Sequence, residues 1–273
     1  MTVRMIRSAM TALILLAASP VEAGGNTRIA DFRTAKKHLA EVYGHGAQTF
    51  YCGCAFTGKQ VDHRSCGYKP RRAFTRKGRP NKRAYRLEWE HIVPAHALGL
   101  SFRGWRQRRS IPECRKLGGR KCAAKIHREF RLMEADLYNL VPAIGEVNGN
   151  RSNKPPGMLP GEAREYGTCD VEISRGKIEP RPSIRGDVAR IYLYMDQAYP
   201  GRGIISRKNR KLFEAWHRAD PVSPEERQRA TRIRRIQGNC NSFVLDCSGQ
   251  VPPALPVQDA PAAASAHPVS PVP

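Results

Sequence analysis

Residues 87–99 read LEWEHIVPAHALG. Glu90 and His91 stand side by side in an apolar frame of Trp89, Ile92 and Val93, which Pro94 closes. Aromatic and β-branched residues suit a half-buried strand, and Pro94 cannot continue its ladder. The pattern predicts a strand over 87–93. Neighbouring side chains of a strand point to opposite faces. A Glu–His pair there addresses one site from two sides, with the carboxylate turned to a metal and the imidazole to a reactant.

Outward from this strand, Asn139-Leu140-Val141-Pro142 reads as a brief second strand. Residues 143–151 then read as a helix that offers Asn148, although Gly145 and Gly149 weaken it on propensity. Strand, strand and helix make a compact ββα unit. Upstream, Ile29, Phe32, Leu39 and Val42 recur at helical intervals over 28–43, with Gly44 as a stop. Tyr51–Ala55 reads as a short strand entering a cysteine-tied loop. Residues 69–86, with Pro70, Gly78 and Pro80, read as a loop or ragged hairpin. Residues 100–128 are expected to be mostly irregular, and Leu132, Met133 and Leu137 mark a helical turn.

Downstream, Tyr166–Ile178 alternates as one strand, and the remainder is helical. Asp187 is placed to cap a helix carrying Val188, Ile191, Tyr192 and Met195, and a second helix covers 208–218. Ser223-Pro224-Glu225-Glu226 is a capping signature with Pro at the first helical position, and Gly238 ends that helix. The expected fold class is α+β: a mixed α/β single domain with a ββα core, a helix-rich C-terminal half and disulfide bonds.

Residues 1–23 carry the marks of a signal peptide. Arg4 and Arg7 precede an apolar centre, Ala12 to Ala18, and Val21-Glu22-Ala23 offers a small-residue cleavage site. The apolar run is too short for a stable membrane span, which needs roughly 20 residues. The expected folded domain is 24–248, enough for a proper core, and 249–273 reads as a disordered Pro/Ala-rich tail. The expected product is periplasmic or secreted, and monomeric. An even set of cysteines in an exported chain argues for disulfides: Cys52, Cys54, Cys66, Cys114, Cys122, Cys169, Cys240 and Cys247. Cys114–Cys122 and Cys240–Cys247 are natural short loops, and either Cys52 or Cys54 is within reach of Cys66. The rest of the pairing is open. Zinc is disfavoured, because no Cys-x-x-Cys pair with matching His partners occurs.

Charge narrows the partner. The chain has 47 Lys plus Arg against 24 Asp plus Glu, a formal net of +23, which favours polyanions. Residues 71–86 hold eight cations and no acid, and residues 103–121 hold eight more with Glu113 the only acid. Arginine forks match phosphate oxygens. Arg71, Arg72, Arg76, Lys77 and Arg83 in the first run are expected to grip nucleic acid, as are Arg106, Arg108, Arg109 and Lys121 in the second.

Phosphodiester hydrolysis needs an activated water and a charge clamp on the phosphoryl oxygens. A neutral His can take the water's proton. A hard cation such as Mg²⁺ takes oxygen ligands and keeps several waters, so one carboxylate and one amide oxygen suffice. Glu90, His91 and Asn148 supply that set.

The segments EWEHIVPAHALG, GGRKC, MEADLYNLVPAIGEVNGNRSN, ARIYLYM and KLFEAW, in this order, resemble the endonuclease I family of secreted and periplasmic non-specific nucleases. That family belongs to the ββα-metal, His-Asn-His-like superfamily. The resemblance runs over roughly 28–247. It implies a disulfide-bonded α/β fold that cuts DNA and RNA to products bearing 5′-phosphates. It makes Glu90 and Asn148 the ligands of Mg²⁺ and His91 the general base, and the sequence leaves Mn²⁺ or Ca²⁺ open as the ion used. Arg120 matches the arginine that steadies the phosphate, Glu134 an acid that orients the His or a water, and Asn139 an Asn that holds the β-turn together. Two rival classes are a secreted nucleic-acid-binding protein without catalysis and a cationic protein acting on anionic membranes. Neither requires the ordered set of Glu90, His91 and Asn148.

Overall fold

The chain meets itself first in a helix that begins where a side chain can start it. In the computed structural model, which describes residues 24–161 and 163–249, α1 spans Phe32–Tyr43. The signal-peptide reading and the tail from residue 250 lie outside the described residues. Asp31 accepts a hydrogen bond from the Thr34 amide at 2.7 Å and so caps α1, which delays the start expected at Arg28. The Tyr51–Ala55 stretch is a turn, not a strand, because Gly53 at φ +70° folds the chain back onto Thr49. A small hairpin follows, β1 (Phe56–Thr57) with β2 (Gln60–Val61). In the basic segment, Phe74 bridges Pro80 across a turn at Gly78, and α2 (Lys82–Tyr85) closes it.

β3 (Leu87–His91) is the strand read from the sequence, two residues shorter than expected. Behind it come α3 (Ala95–Gly99), α4 (Arg103–Arg106), α5 (Gly119–Ile126) and α6 (Arg128–Glu134). α4 and α5 occupy the region expected to be irregular. They are too short to print a helical period, and the Cys114–Cys122 disulfide and the burial of Cys122 and Ala123 hold α5 in place. β4 (Leu140–Ile144) pairs antiparallel with β3, placing Glu90 opposite Val141 and His91 opposite Leu140. α7 (Gly145–Arg151) follows directly, so the chain builds the ββα unit.

Residues 166–178 form no single strand. β5 (Glu172–Ile173) turns into β6 (Ile178–Glu179), because Ser174 accepts from the amides of Gly176 and Lys177 at 3.2 Å and reverses the chain. Three longer helices complete the fold: α8 (Arg185–Ala198), α9 (Arg207–Ala219) and α10 (Pro224–Gln237). Asp187 sits within the first turn of α8 instead of capping it. Ser223 accepts from the Glu226 amide at 3.1 Å, and Gly238 at φ +85° ends α10, as its signature predicts.

α8 is the central helix: Val188, Ala189, Ile191, Tyr192 and Met195 are buried, and α9 packs along it. One buried carboxylate joins distant parts of the chain. Asp136 accepts from Tyr194 and Tyr199 hydroxyls at 2.8 Å, from Gln237 at 2.9 Å, and from the Asn26 amide at 3.3 Å. The disulfides are Cys52–Cys169, Cys54–Cys66, Cys114–Cys122 and Cys240–Cys247. Among the described residues no helix is long and apolar enough to cross a membrane.

Candidate active site

The strand alternation of β3 sorts its polar side chains into two groups. Glu88 and Glu90 fall on the face covered by α7, and His91 points the other way, toward α1 and α6. α7 answers the two carboxylates with residues three apart on one helical face. Asn148 Nδ2 lies 3.1 Å from Glu88 Oε2, and Arg151 Nη1 donates to Glu90 Oε1 at 2.6 Å.

Glu90 and Arg151 are a buried pair, Arg151 being 1 % exposed. The guanidinium also donates to the His91 carbonyl at 2.6 Å, to the Ile92 carbonyl, and to the Lys154 carbonyl at 3.0 Å. Burial pushes the Glu90 carboxyl up, and Arg151 pulls it back. Glu88 is 18 % exposed and faces Arg83 at 2.6 Å and Arg86 at 2.5 Å. Burial alone would raise its pKa, but the two arginines outweigh burial and hold the carboxyl below its usual range. Of the residues expected to hold a metal, the structure therefore brings Asn148 to Glu88 and ties Glu90 to Arg151. Glu88 was not singled out by sequence; the Glu-x-Glu spacing along one strand face is the signal that marks it.

On the opposite side, His91 Nε2 lies 2.8 Å from the Glu134 carbonyl. A carbonyl only accepts, so Nε2 carries the proton and Nδ1 keeps its lone pair. The imidazole packs against Phe32 at 4.6 Å between ring centroids. Arg120 lies over the same Phe32 ring and pairs with the Glu134 carboxylate. His91, Arg120 and Glu134 thus gather around Phe32, a residue sequence marked only for helical packing. Burial, and then the charges of Arg120 and Arg151, push the His91 imidazole down to about 3, against the pull of the Glu134 carbonyl. The ring is neutral throughout the ordinary pH range.

Asn139 is fully buried and closes the end of the hairpin. Its Oδ1 accepts from the Val93 amide at 2.7 Å, its Nδ2 donates to the Val93 carbonyl at 3.0 Å, and its own carbonyl accepts from Ile92 at 3.0 Å.

The basic residues spread around this centre. Arg71 pairs with Glu165 at 3.0 Å and Arg83 with Glu88. Arg72, Arg76 and Lys77 are exposed on the segment before α2. Arg106 and Lys121 are exposed on α4 and α5, Arg109 is exposed between them and Arg108 half-buried. α4 packs on α5, the helix that delivers Arg120. Trp105 serves packing: it lies against Gly99 and Gly119, with His96 edge-on at 5.7 Å.

The oxygen donors of this centre suit a hard divalent cation. Asn148 and Glu88 are partly solvated, so such an ion could keep most of its waters. Chemically the centre combines a neutral, oriented imidazole, a half-exposed guanidinium and an oxygen-lined face. Activated water attack on an anionic ester is the reaction this combination suits.

Comparison with known proteins points the same way. The family model described as Endonuclease I matches residues 27–247. An extracellular deoxyribonuclease of Aeromonas hydrophila is 40 % identical over 239 residues, covering 85 % of this chain and 94 % of its own. A periplasmic deoxyribonuclease of the same organism is 39 % identical over 239 residues, with 85 % and 91 % covered. Endonuclease-1 of Buchnera aphidicola subsp. Acyrthosiphon pisum is 39 % identical over 223 residues, with 79 % and 81 % covered.

Proposed function

The chain belongs to the endonuclease I family, and from that membership we propose an exported, sequence-non-specific endonuclease. Its substrates are DNA and RNA, its place the periplasm or the medium, and its acting form a monomer. Contacts to phosphate fix position and affinity but carry no base information directly, which suits a surface rich in arginine.

The observation that carries the reading is the His91 Nε2–Glu134 carbonyl bond of 2.8 Å beside Arg120. The bond fixes the tautomer and leaves the Nδ1 lone pair free, while burial and the charges of Arg120 and Arg151 oppose its protonation until the negative charge of a bound phosphate offsets them. In the reaction, Nδ1 removes a proton from water as its oxygen attacks phosphorus. The P–O3′ bond breaks, the departing O3′ takes a proton from a solvent water, and the products are a 3′-hydroxyl and a 5′-phosphate. Arg120 leaves the Glu134 carboxylate in part to meet the charge developing on the phosphoryl oxygens, and Glu134 keeps it positioned meanwhile.

Mg²⁺ is the proposed cofactor, held by Asn148 and the carboxylate face of β3: Glu90 by family resemblance, Glu88 by its contact with Asn148. When bound, it supplies charge stabilisation to the phosphoryl oxygens and the leaving group. Drawing Glu90 away from Arg151 would leave a buried guanidinium uncompensated, a cost that Glu88 avoids.

The test is cleavage of supercoiled plasmid by the oxidised mature protein with Mg²⁺, with EDTA, and with His91→Ala. Nicking should fall by about 10²–10⁴-fold on loss of the general base and stop in EDTA. Calorimetric titration with Mn²⁺ of Glu88→Gln, Glu90→Gln and Asn148→Ala then assigns the ligands. Retarded but intact plasmid under all conditions would make the protein a binder and discard the mechanism.

A further inference from the structure

Phe74 is the most exposed large apolar side chain among the described residues, at 63 %. It does not sit on a loose loop. Thr75 and Arg79 close the turn through a backbone bond of 2.8 Å, and the Asn81 amide bonds the Ala73 carbonyl at 2.8 Å. Asn81 Nδ2 donates to the Arg72 carbonyl at 2.9 Å. The base of this arm is anchored to α7, since the buried Glu146 carboxylate accepts from the Arg71 and Arg72 amides at 3.1 and 2.8 Å and from the Tyr68 hydroxyl. The arm is thus a fixed projection of the helix that presents Asn148.

Between the arm and α7 lies a cleft of about 490 Å³, lined by Phe74, Arg72, Arg76, Arg83 and, from α7, Gly149 and Asn150. The closeness is tight at one point: a Cβ on Gly149 would meet the Arg83 guanidinium at 2.5 Å. Among the described residues the Arg72 and Arg76 guanidinium groups have no carboxylate partner, whereas those of Arg71 and Arg83 do. The cleft therefore offers two uncommitted guanidinium groups and one open aromatic face, against the helix that carries Asn148. Cations that follow a phosphate backbone, joined to an aromatic ring on which a base can lie, are how single strands are held without regard to sequence.

We propose that this cleft is a subsite for an unpaired nucleotide of the substrate strand, its base stacked on Phe74 and its flanking phosphates held by Arg72 and Arg76. The inference rests on the nuclease reading and deepens it. A base in a duplex is already stacked on both faces, so the subsite favours single-stranded or locally opened substrate over an intact helix.

The experiment measures binding of a single-stranded oligonucleotide carrying 2-aminopurine to the oxidised mature protein in the non-cleaving His91→Ala background. Phe74→Ala should weaken binding by about 5- to 100-fold and abolish the fluorescence change of one 2-aminopurine position. Phe74→Trp should retain both, and Phe74→Leu should behave as Phe74→Ala. An intact duplex should bind all four proteins within about twofold. Because Phe74 is exposed, thermal melts of the variants should superimpose.

Unchanged binding by Phe74→Ala overturns the subsite, and so does a Leu variant equal to the parent, which would mark a merely apolar contact. Equal weakening of duplex binding removes the preference for an unpaired base. Loss of association with anionic phospholipid vesicles, with oligonucleotide binding intact, assigns the arm to membranes instead. Plasmid cleavage by the parent, with His91 in place, separates these failures from failure of the nuclease reading. A parent that neither cuts nor binds nucleic acid ends both.

Discussion

Arg151 makes four hydrogen bonds inside the protein while almost none of its surface reaches water. Two of its acceptors are the carbonyls of His91, the last residue of β3, and of Ile92 just beyond it, so one guanidinium holds both the carboxylate and the strand end that carries His91. Removing one partner of such a pair is far costlier than removing both, because the survivor stays buried and charged. Arg151→Met should therefore lower stability by about 3–5 kcal/mol in urea unfolding, and adding Glu90→Gln should restore part of the loss. Equal and additive costs for the two single substitutions would show that the charges are not coupled. Residues of this kind were not legible in the sequence. In a chain with 47 Lys plus Arg, nothing local distinguishes a buried arginine from a solvated one. Glu88 was illegible for a related reason: its contact with Asn148 across the fold, more than any neighbour in sequence, sets it apart from other acids.

At the scale of elements, the hairpin of β3 and β4 with α7 was legible because two independent signals agree. The apolar frame and Pro94 bound one strand, and the Asn139–Pro142 stretch forms the other immediately before a helix. Pro142 is tolerated because the hairpin has only two strands; its carbonyl still accepts from the Phe50 amide at 2.7 Å. α4 and α5 escaped because tertiary packing and a disulfide create them, and their few residues carry no period. The single strand expected over 166–178 failed on turn chemistry, since Ser174 and Gly176 can reverse the chain as readily as alternation can extend it. Asn139 closes the hairpin with both faces of its amide, so Asn139→Ala leaves the buried Val93 amide and carbonyl without partners. The expected cost is about 1–3 kcal/mol in thermal or urea unfolding, with a larger relative loss of plasmid cleavage below the melting temperature, because His91 lies two residues before Val93. A destabilised protein with full cleavage at low temperature would mean the hairpin end does not position the imidazole.

Over the whole molecule, a surplus of positive charge must be carried by a fold that also buries acids. The disulfides help: Cys52–Cys169 joins residues 117 apart, tying the segment before β1 to the segment before β5. Asp136 does the same by hydrogen bonds, gathering the N-terminal segment, α8 and α10. A second acid behaves differently. Asp187 lies in the first turn of α8, 3.6 Å from Arg190, whose guanidinium is already committed to Glu226 at 2.6 and 2.7 Å. Burial and the Glu226 carboxylate, with Asp220 adding, push the Asp187 carboxyl up to about 7 against the pull of Arg190 and Arg229. Unfolded, the same carboxyl ionises near 3.8. Between those values the folded state holds the extra proton, so this residue's contribution to stability is full in acid and is lost as pH rises toward neutrality. Asp187→Asn keeps the shape and removes the charge. Its melting temperature should match the parent's near pH 4 and exceed it by several degrees at pH 8, where the parent must ionise a buried carboxyl beside Glu226. A parent and variant that melt together at both pH values would mean that the Arg190 and Arg229 guanidinium groups fully compensate the charge, and that the acid carries no cost at the junction of α8 and α10.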